Sequence, residues 1–200
     1  MAIESLFVTQ LYSASLDAAD LLSELIHSCH TLAQDDRAGR AWSKEHDYQG
    51  YTSYASLNDL PLRDPAFADL RRLLDRHVKQ FASDCGFDPS LRKLKLDSIW
   101  VNILKPGGHH SAHIHPRSAV SGTLYLAIPP GAGSLRLEDP RLTQLMSAPR
   151  RDPASHRGLQ SFVTLVPEVG TLYLWESWLR HEVLPHRGKG ERISISFNYS

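Results

Sequence analysis

Two periodicities divide the chain. Between Leu16 and Cys29 the apolar positions Leu16, Ala19, Leu22, Ile26 and Cys29 recur at three- and four-residue steps. That spacing lines one face of an α-helix. Ser15 or Asp17 stands where an N-cap belongs. The pattern fades into Gln34-Asp35-Asp36-Arg37-Ala38-Gly39, a polar stretch that reads as a loop. Residues 46–60 scatter Tyr48, Tyr51 and Tyr54 among small polar groups and read as loop or short strand. Asp64-Pro65 opens a second helix with proline in its first turn. Leu70, Leu73, Leu74, Val78 and Phe81 form its apolar stripe, and Gly86 ends it.

After Leu94 the period falls to two. Leu94 and Leu96, then Ile99 to Leu104, suit strands, as do residues 124–128, closed by Pro129-Pro130-Gly131. Further strands are expected at 135–138, 161–166, 171–175 and 192–197. Short strands at near-regular spacing with Gly and Pro turns predict a sandwich or barrel. The expectation is a mainly β fold with N-terminal helices: two helices against a double sheet of seven or eight strands. One domain spans 1–200, with 1–92 a helical support region and 93–200 the β core.

Composition narrows the function classes. At 200 residues and 42% hydrophobic, the chain can bury a sizeable core. Its 22 basic and 22 acidic residues cancel, so no global field favours nucleic acid or an anionic membrane. No apolar run approaches the roughly 18 residues that span a bilayer. The start, Met1-Ala2-Ile3-Glu4-Ser5, lacks the basic and apolar regions of a signal peptide. Two cysteines make no disulfide framework and suit a reducing cytoplasm.

Histidine is the anomaly: eleven in all, with His109, His110, His113 and His115 inside seven residues. On a strand, His113 and His115 point to one face and could meet one metal. A helical pair of His109 and His113 is disfavoured by Pro106-Gly107-Gly108 before it and Pro116 after it. The plainer alternative is a His-rich polar loop. A third ligand should come from far along the chain, and His181 is the best placed, after an apolar strand and before a turn. His156 and His186 look solvated, while His27, His30, His46 and His77 read as ordinary surface or packing residues. Arg192 and Ser194 share a strand face. An inward arginine needs an anionic partner, either a carboxylate ligand or a salt bridge to Glu138 or Asp139.

The order His113-x-His115, distant His181, then Arg192-x-Ser194 resembles the Fe(II)/2-oxoglutarate-dependent oxygenases. It is most similar to a small bacterial family of them. The resemblance runs through Leu6-Phe7, Trp100-Val101-Asn102, His113-Ile114-His115-Pro116, Ser121-Gly122, Tyr125-Leu126, Asp139-Pro140-Arg141 and Trp178-Leu179-Arg180-His181. It ends on Glu191-Arg192-Ile193-Ser194-Ile195-Ser196-Phe197-Asn198. It implies a double-stranded β-helix, the cupin-like jelly-roll barrel. It implies Fe(II) on His113, His115 and His181, and 2-oxoglutarate on Arg192 and Ser194, with Asn102 and Tyr125 as further contacts. The resemblance further implies O2 as the oxidant, succinate and carbon dioxide as products, and a small molecule, amino acid or peptide as the substrate oxidised, most simply by hydroxylation.

Two positions depart from the pattern. His115 stands where the superfamily usually has Asp or Glu. That leaves three-His ligation, two-His ligation with water, or a carboxylate recruited from elsewhere, such as Asp139. Trp175-Glu176 stands where Phe-Pro is expected. Two rival classes remain: a cupin-like dioxygenase that does not use 2-oxoglutarate, and a non-catalytic metal- or carboxylate-binding module. Arg192-x-Ser194 counts against the first. Candidates for the barrel mouth are Tyr48, Tyr51, Tyr54, His109, His110, Arg150, Arg151 and Arg157, the arginine stretch reading rather as a solvated loop. An open sheet edge would make a homodimer unsurprising.

Overall fold

A computed structural model of the chain describes residues 2–90, 93–141 and 147–200. Strand β1 (Leu11–Ser15) comes first, followed by helices α1 (Ala19–Asp35) and α2 (Arg37–Glu45), strand β2 (Gly50–Thr52), and helices α3 (Leu60–Arg63) and α4 (Pro65–Asp84). Eight strands follow: β3 (Leu96–Leu104), β4 (His110–His113), β5 (Val120–Ala127), β6 (Leu135–Glu138), β7 (Phe162–Leu165), β8 (Thr171–Glu176), β9 (His181–Val183) and β10 (Arg192–Tyr199). They form two antiparallel sheets. The larger runs β1-β8-β5-β10-β3-β2 and the smaller β4-β9-β6-β7.

Strand alternation explains how one sheet serves two purposes. In the larger sheet, Val101, Ile103, Leu124, Leu126, Leu172, Leu174, Ile193, Ile195 and Phe197 share a core with Leu25 and Cys29 of α1 and Leu70, Leu74, Val78 and Phe81 of α4. Their immediate neighbours along the strands point the other way. Trp100, Asn102, Tyr125, Trp175, Arg192 and Ser194 therefore face the smaller sheet and line a cavity there. The helices cover one face of the large sheet, which frees the other for chemistry.

Several expectations are corrected. Leu11–Ser15 is an edge strand paired with β8, where the sequence showed only a helix start. Neither Ser15 nor Asp17 caps α1: its N-cap is Ala18, which makes no side-chain cap bond. The polar stretch 34–39 is a junction between two helices, because the Asp36 side chain accepts the Gly39 backbone N–H and starts α2. The described residues hold four helices and ten strands, not two and seven or eight. The region 1–92 is not purely helical, since β1 and β2 extend the large sheet at both edges. Leu94 precedes β3 rather than belonging to a strand, and His181 opens a three-residue strand, β9, that the sequence pattern does not show.

Candidate metal centre

The smaller sheet brings two histidines together by register. His113 ends β4 and His181 begins β9, and the two are direct cross-strand partners. Their rings lie 4.4 Å apart between centroids. His115 does not share a strand with His113, as the spacing suggested. It follows the end of β4, and its backbone N–H donates to the Ser177 carbonyl, which turns the chain back over the site. Its ring stands 5.1 Å from His113 and 5.2 Å from His181. One nitrogen from each imidazole falls within 4.8 Å of the other two.

Hydrogen bonds fix two of the three tautomers. A carbonyl oxygen can only accept, so His113 Nδ1–H donates to Ser111 (2.6 Å) and His181 Nδ1–H donates to Leu179 (2.9 Å). Each Nε2 is then a bare lone pair. Burial, reinforced by His113 nearby, pushes His181 down to about 3 and His115 down to about 4, so both are neutral near pH 7. The Asn198 side-chain amide lies 3.5 Å from His115 Nδ1 and also contacts Ser98 and Ser121. Its Nδ2 is the atom turned toward the ring, while Oδ1 accepts from Ser121; the opposite amide orientation would accept Nδ1–H and leave His115 Nε2 free. Ser98 and Ser121 can donate or accept and remain satisfied either way. Three convergent imidazoles, two of them held in the ligating tautomer, fit a divalent first-row metal. Asp139 is not the recruited carboxylate: Arg141 holds both its oxygens at 3.0 Å.

Across the cavity, a row is set by strand pairing. Ser194 on β10 is opposite both Asn102 on β3 and Tyr125 on β5. Arg192 lies two residues along, on the same face. It is 1% exposed and has no carboxylate partner among the described residues. Nε donates to the Gly133 carbonyl (3.1 Å), Nη1 to Ser194 Oγ (3.2 Å), and the guanidinium lies 5.0 Å from the centre of the Tyr125 ring. The anticipated salt bridge to Glu138 or Asp139 is absent, because Glu138 pairs with Arg180 and Asp139 with Arg141. Burial lowers the Arg192 pKa. Burial pushes the Tyr125 phenol up to about 12, against the opposing pull of Arg192, and its buried oxygen has no well-formed hydrogen bond among the described residues. A buried cation beside an orphaned hydroxyl calls for an anionic oxygen ligand, since an unmet buried polar group costs about 1–3 kcal/mol.

The cavity between these walls measures about 350 Å³. Of the mouth candidates, Tyr48, Tyr54 and His110 line it. Tyr51 instead lies in the core and donates to Asp36 (2.9 Å). His109, Arg150, Arg151 and Arg157 are exposed and away from the lining. Residues the sequence reading passed over include Trp42, Thr52 and Ser196. Thr52 Oγ1 donates to Asn102 Oδ1 (3.0 Å), Tyr48 OH contacts His110 Nε2 (2.8 Å), and Asn102 Nδ2 donates to Ser196 Oγ (3.1 Å). Asn102 is thus held on several sides. The atypical Trp175 forms part of the wall, 4.7 Å from His181, with its indole nitrogen unpartnered. His186, expected to be solvated, is 1% exposed and spans a turn by contacts to Gly131 and Gly190.

A jelly roll with convergent imidazoles at one end of its cavity and a buried, unpaired guanidinium at the other defines a mononuclear metal enzyme that takes an anionic cosubstrate. Residues 98–198 match the family described as "Putative 2OG-Fe(II) oxygenase", and the chain belongs to that family. It is accordingly a non-haem oxygenase that uses Fe(II), 2-oxoglutarate and O2. No curated protein matches the chain. Among solved structures, a prolyl-4-hydroxylase from Pseudomonas putida is 19% identical, with TM-score 0.63 over 96% of this chain and 94% of that one. HygX from Streptomyces hygroscopicus, with nickel and 2-oxoglutarate bound, is 15% identical, with TM-score 0.63 over 96% and 83%. The α-ketoglutarate-dependent epimerase SnoN from nogalamycin biosynthesis is 14% identical, with TM-score 0.65 over 96% and 76%. At these identities the likeness is one of fold, the double-stranded β-helix.

Proposed function

We propose that His113, His115 and His181 hold the Fe(II), and that Arg192 and Ser194 hold the distal carboxylate of 2-oxoglutarate, with Tyr125 and Asn102 completing its wall. The observation that carries this assignment is the fully buried Arg192, with no carboxylate partner among the described residues, facing three convergent imidazoles across one cavity. Bound together, Fe(II) and 2-oxoglutarate supply the oxidising chemistry, in which decarboxylation to succinate and carbon dioxide is coupled to oxidation of a second substrate.

The chain's own residues bind and orient. The Ser111 and Leu179 carbonyls keep His113 and His181 in the ligating tautomer. Gly133 and Ser194 fix the guanidinium so that its remaining N–H groups meet an incoming carboxylate in a fork. The Tyr125 hydroxyl then gains the partner it lacks. Leu135 and Val183 close the wall with hydrocarbon and keep competing water from the ion pair.

The chemistry is carried by 93–200 within one domain, and residues up to 92 support it and supply part of the mouth. The substrate is a small molecule or a peptide segment, by analogy with the prolyl hydroxylase and SnoN. Two free cysteines, Cys29 and Cys85, suit a reducing compartment and support work in the cytoplasm; among the described residues no helix is long and apolar enough to cross a membrane. The test is anaerobic metal titration of wild type, His113→Ala and His181→Ala. One Fe(II) per chain in wild type, and loss of tight binding in both variants, is expected. Full occupancy in both variants would show that the metal lies elsewhere.

A further inference from the structure

Beyond the 2-oxoglutarate subsite, the same cavity carries an aromatic entrance. Tyr54, 58% exposed after β2, meets Trp100 edge to face at 5.2 Å. Trp100, only 8% exposed on β3, lies 5.9 Å from the His115 ring. Trp42 of α2 and Ile114, between the two histidines, also line the cavity. A continuous aromatic surface therefore leads from solvent to a proposed metal ligand. No Asp, Glu or Lys lines the cavity among the described residues, and Arg192 is its one arginine.

Resting on the proposed function, we propose that this entrance selects an uncharged apolar ring or hydrocarbon group of the substrate and rejects ammonium and carboxylate groups there. Two effects act in opposite directions. The faces of Trp and Tyr rings are electron-rich and disfavour an anion. They would favour a cation, but the cavity opposes one. Its proposed metal ligands are imidazoles, so no protein carboxylate offsets the Fe(II) charge. The two carboxylates of 2-oxoglutarate balance the metal and one of them pairs with Arg192, so a carboxylate gains less from the remaining positive field than it loses in water among the ring faces. An ammonium group would enter against that field and find no carboxylate to replace its water. A neutral ring loses neither hydration nor field energy, and gains burial against Tyr54, Trp100 and Trp42. A free zwitterionic amino acid is excluded on the same grounds, whereas an internal peptide residue or an uncharged small molecule is accepted.

Three probes of nearly one shape test this: cyclohexylmethanol, cyclohexylmethylammonium and cyclohexanecarboxylate. Each is titrated into the anaerobic Fe(II)/2-oxoglutarate-loaded protein by calorimetry. The alcohol should saturate in the millimolar range, and each charged probe should bind at least about tenfold more weakly. Tyr54→Ala and Trp42→Ala should each weaken the alcohol by about tenfold while the 2-oxoglutarate midpoint moves less than about twofold. A charged probe binding as tightly as the alcohol would overturn the proposal. So would an alcohol that fails to saturate by about 50 mM, or whose binding ignores both variants, in protein that still binds 2-oxoglutarate normally. Failure to bind 2-oxoglutarate at all is a separate result and removes the functional reading beneath it.

Discussion

Tyr125 and Arg192 show how a single buried residue can be informative through what it lacks. Among the described residues, the Tyr125 hydroxyl has no well-formed hydrogen bond and Arg192 has no carboxylate. Both atoms carry a cost that a ligand removes. Tyr125→Phe should therefore leave the ligand-free protein as stable as wild type, within about 0.5 kcal/mol, while weakening 2-oxoglutarate by about tenfold. Matched thermal melts and 2-oxoglutarate titrations separate those effects. If the variant melts well below wild type and binds 2-oxoglutarate unchanged, the hydroxyl belongs to the sheet rather than the ligand. At His115, replacement by Asp should keep part of the iron affinity, since a carboxylate is itself a good ligand, and His115→Ala should lose more. Equal iron affinity in wild type and His115→Ala would reduce this histidine to a cavity wall beside a two-histidine site.

Asp36 belongs to the scale of elements, because it joins three of them. Its carboxylate accepts from Gly39 at the start of α2, from Tyr51 on β2 and from Ser56 in the loop beyond. Burial acts to raise its pKa, but the hydrogen bonds from Ser56, Gly39, Tyr51 and Ala38 together outweigh it, and the net shift is downward. A depressed carboxylate pKa contributes stability above the unfolded value of about 3.9, and that contribution is lost as pH falls through the folded pKa. Asp36→Ala should cost about 1–2 kcal/mol at pH 7, and less below about pH 3. Denaturant titrations at the two pH values check both sign and size, and an equal cost at both would contradict the linkage. The same residue explains a failure of sequence reading. Asp35-Asp36-Arg37-Ala38-Gly39 has the composition of a loop, and the Tyr51 and Ser56 hydrogen bonds that hold the Asp36 cap in place come from residues fifteen and twenty positions on. β10 was legible because both its faces are constrained: Ile193, Ile195 and Phe197 toward the helices, Arg192 and Ser194 toward the cavity. β9 was not, because three residues are too few to show a period. His113, His181 and Arg192 could be picked out by spacing and by resemblance. Trp42 and Thr52 could not, since they enter the cavity only through the docking of α2 and β2. Gly122 marks how tightly neighbouring strands of the larger sheet pack on its helix-covered face, for a Cβ there would strike the Phe197 ring and come within 2.6 Å of Leu174. Gly122→Ala should cost about 1–3 kcal/mol by overpacking, read from the denaturation midpoint. An unchanged midpoint would contradict that packing.

Across the whole molecule, the proposed metal binds two parts of the smaller sheet and the segment that follows β4. Its binding energy is then coupled to folding. At metal about a hundredfold above its dissociation constant the gain is about 2.7 kcal/mol, or about 5–10 °C in Tm for a chain of this length. Anaerobic Fe(II) should produce that shift in wild type and not in His113→Ala. The larger sheet holds the other half of the site, and the account's central claim is that the two halves meet on one 2-oxoglutarate. The direct measurement is an anaerobic titration of 2-oxoglutarate into the Fe(II)-loaded protein, following the metal-to-ligand charge-transfer band. The band forms only when the keto acid chelates the metal, while its midpoint reports the grip on the far carboxylate. Wild type should show the band. Arg192→Lys, which keeps the charge and loses the fork, should weaken the midpoint about tenfold, and Arg192→Ala about a hundredfold or more, both with iron still bound. A wild-type protein that binds iron without developing the band, or a midpoint unchanged in Arg192→Ala, would contradict the account.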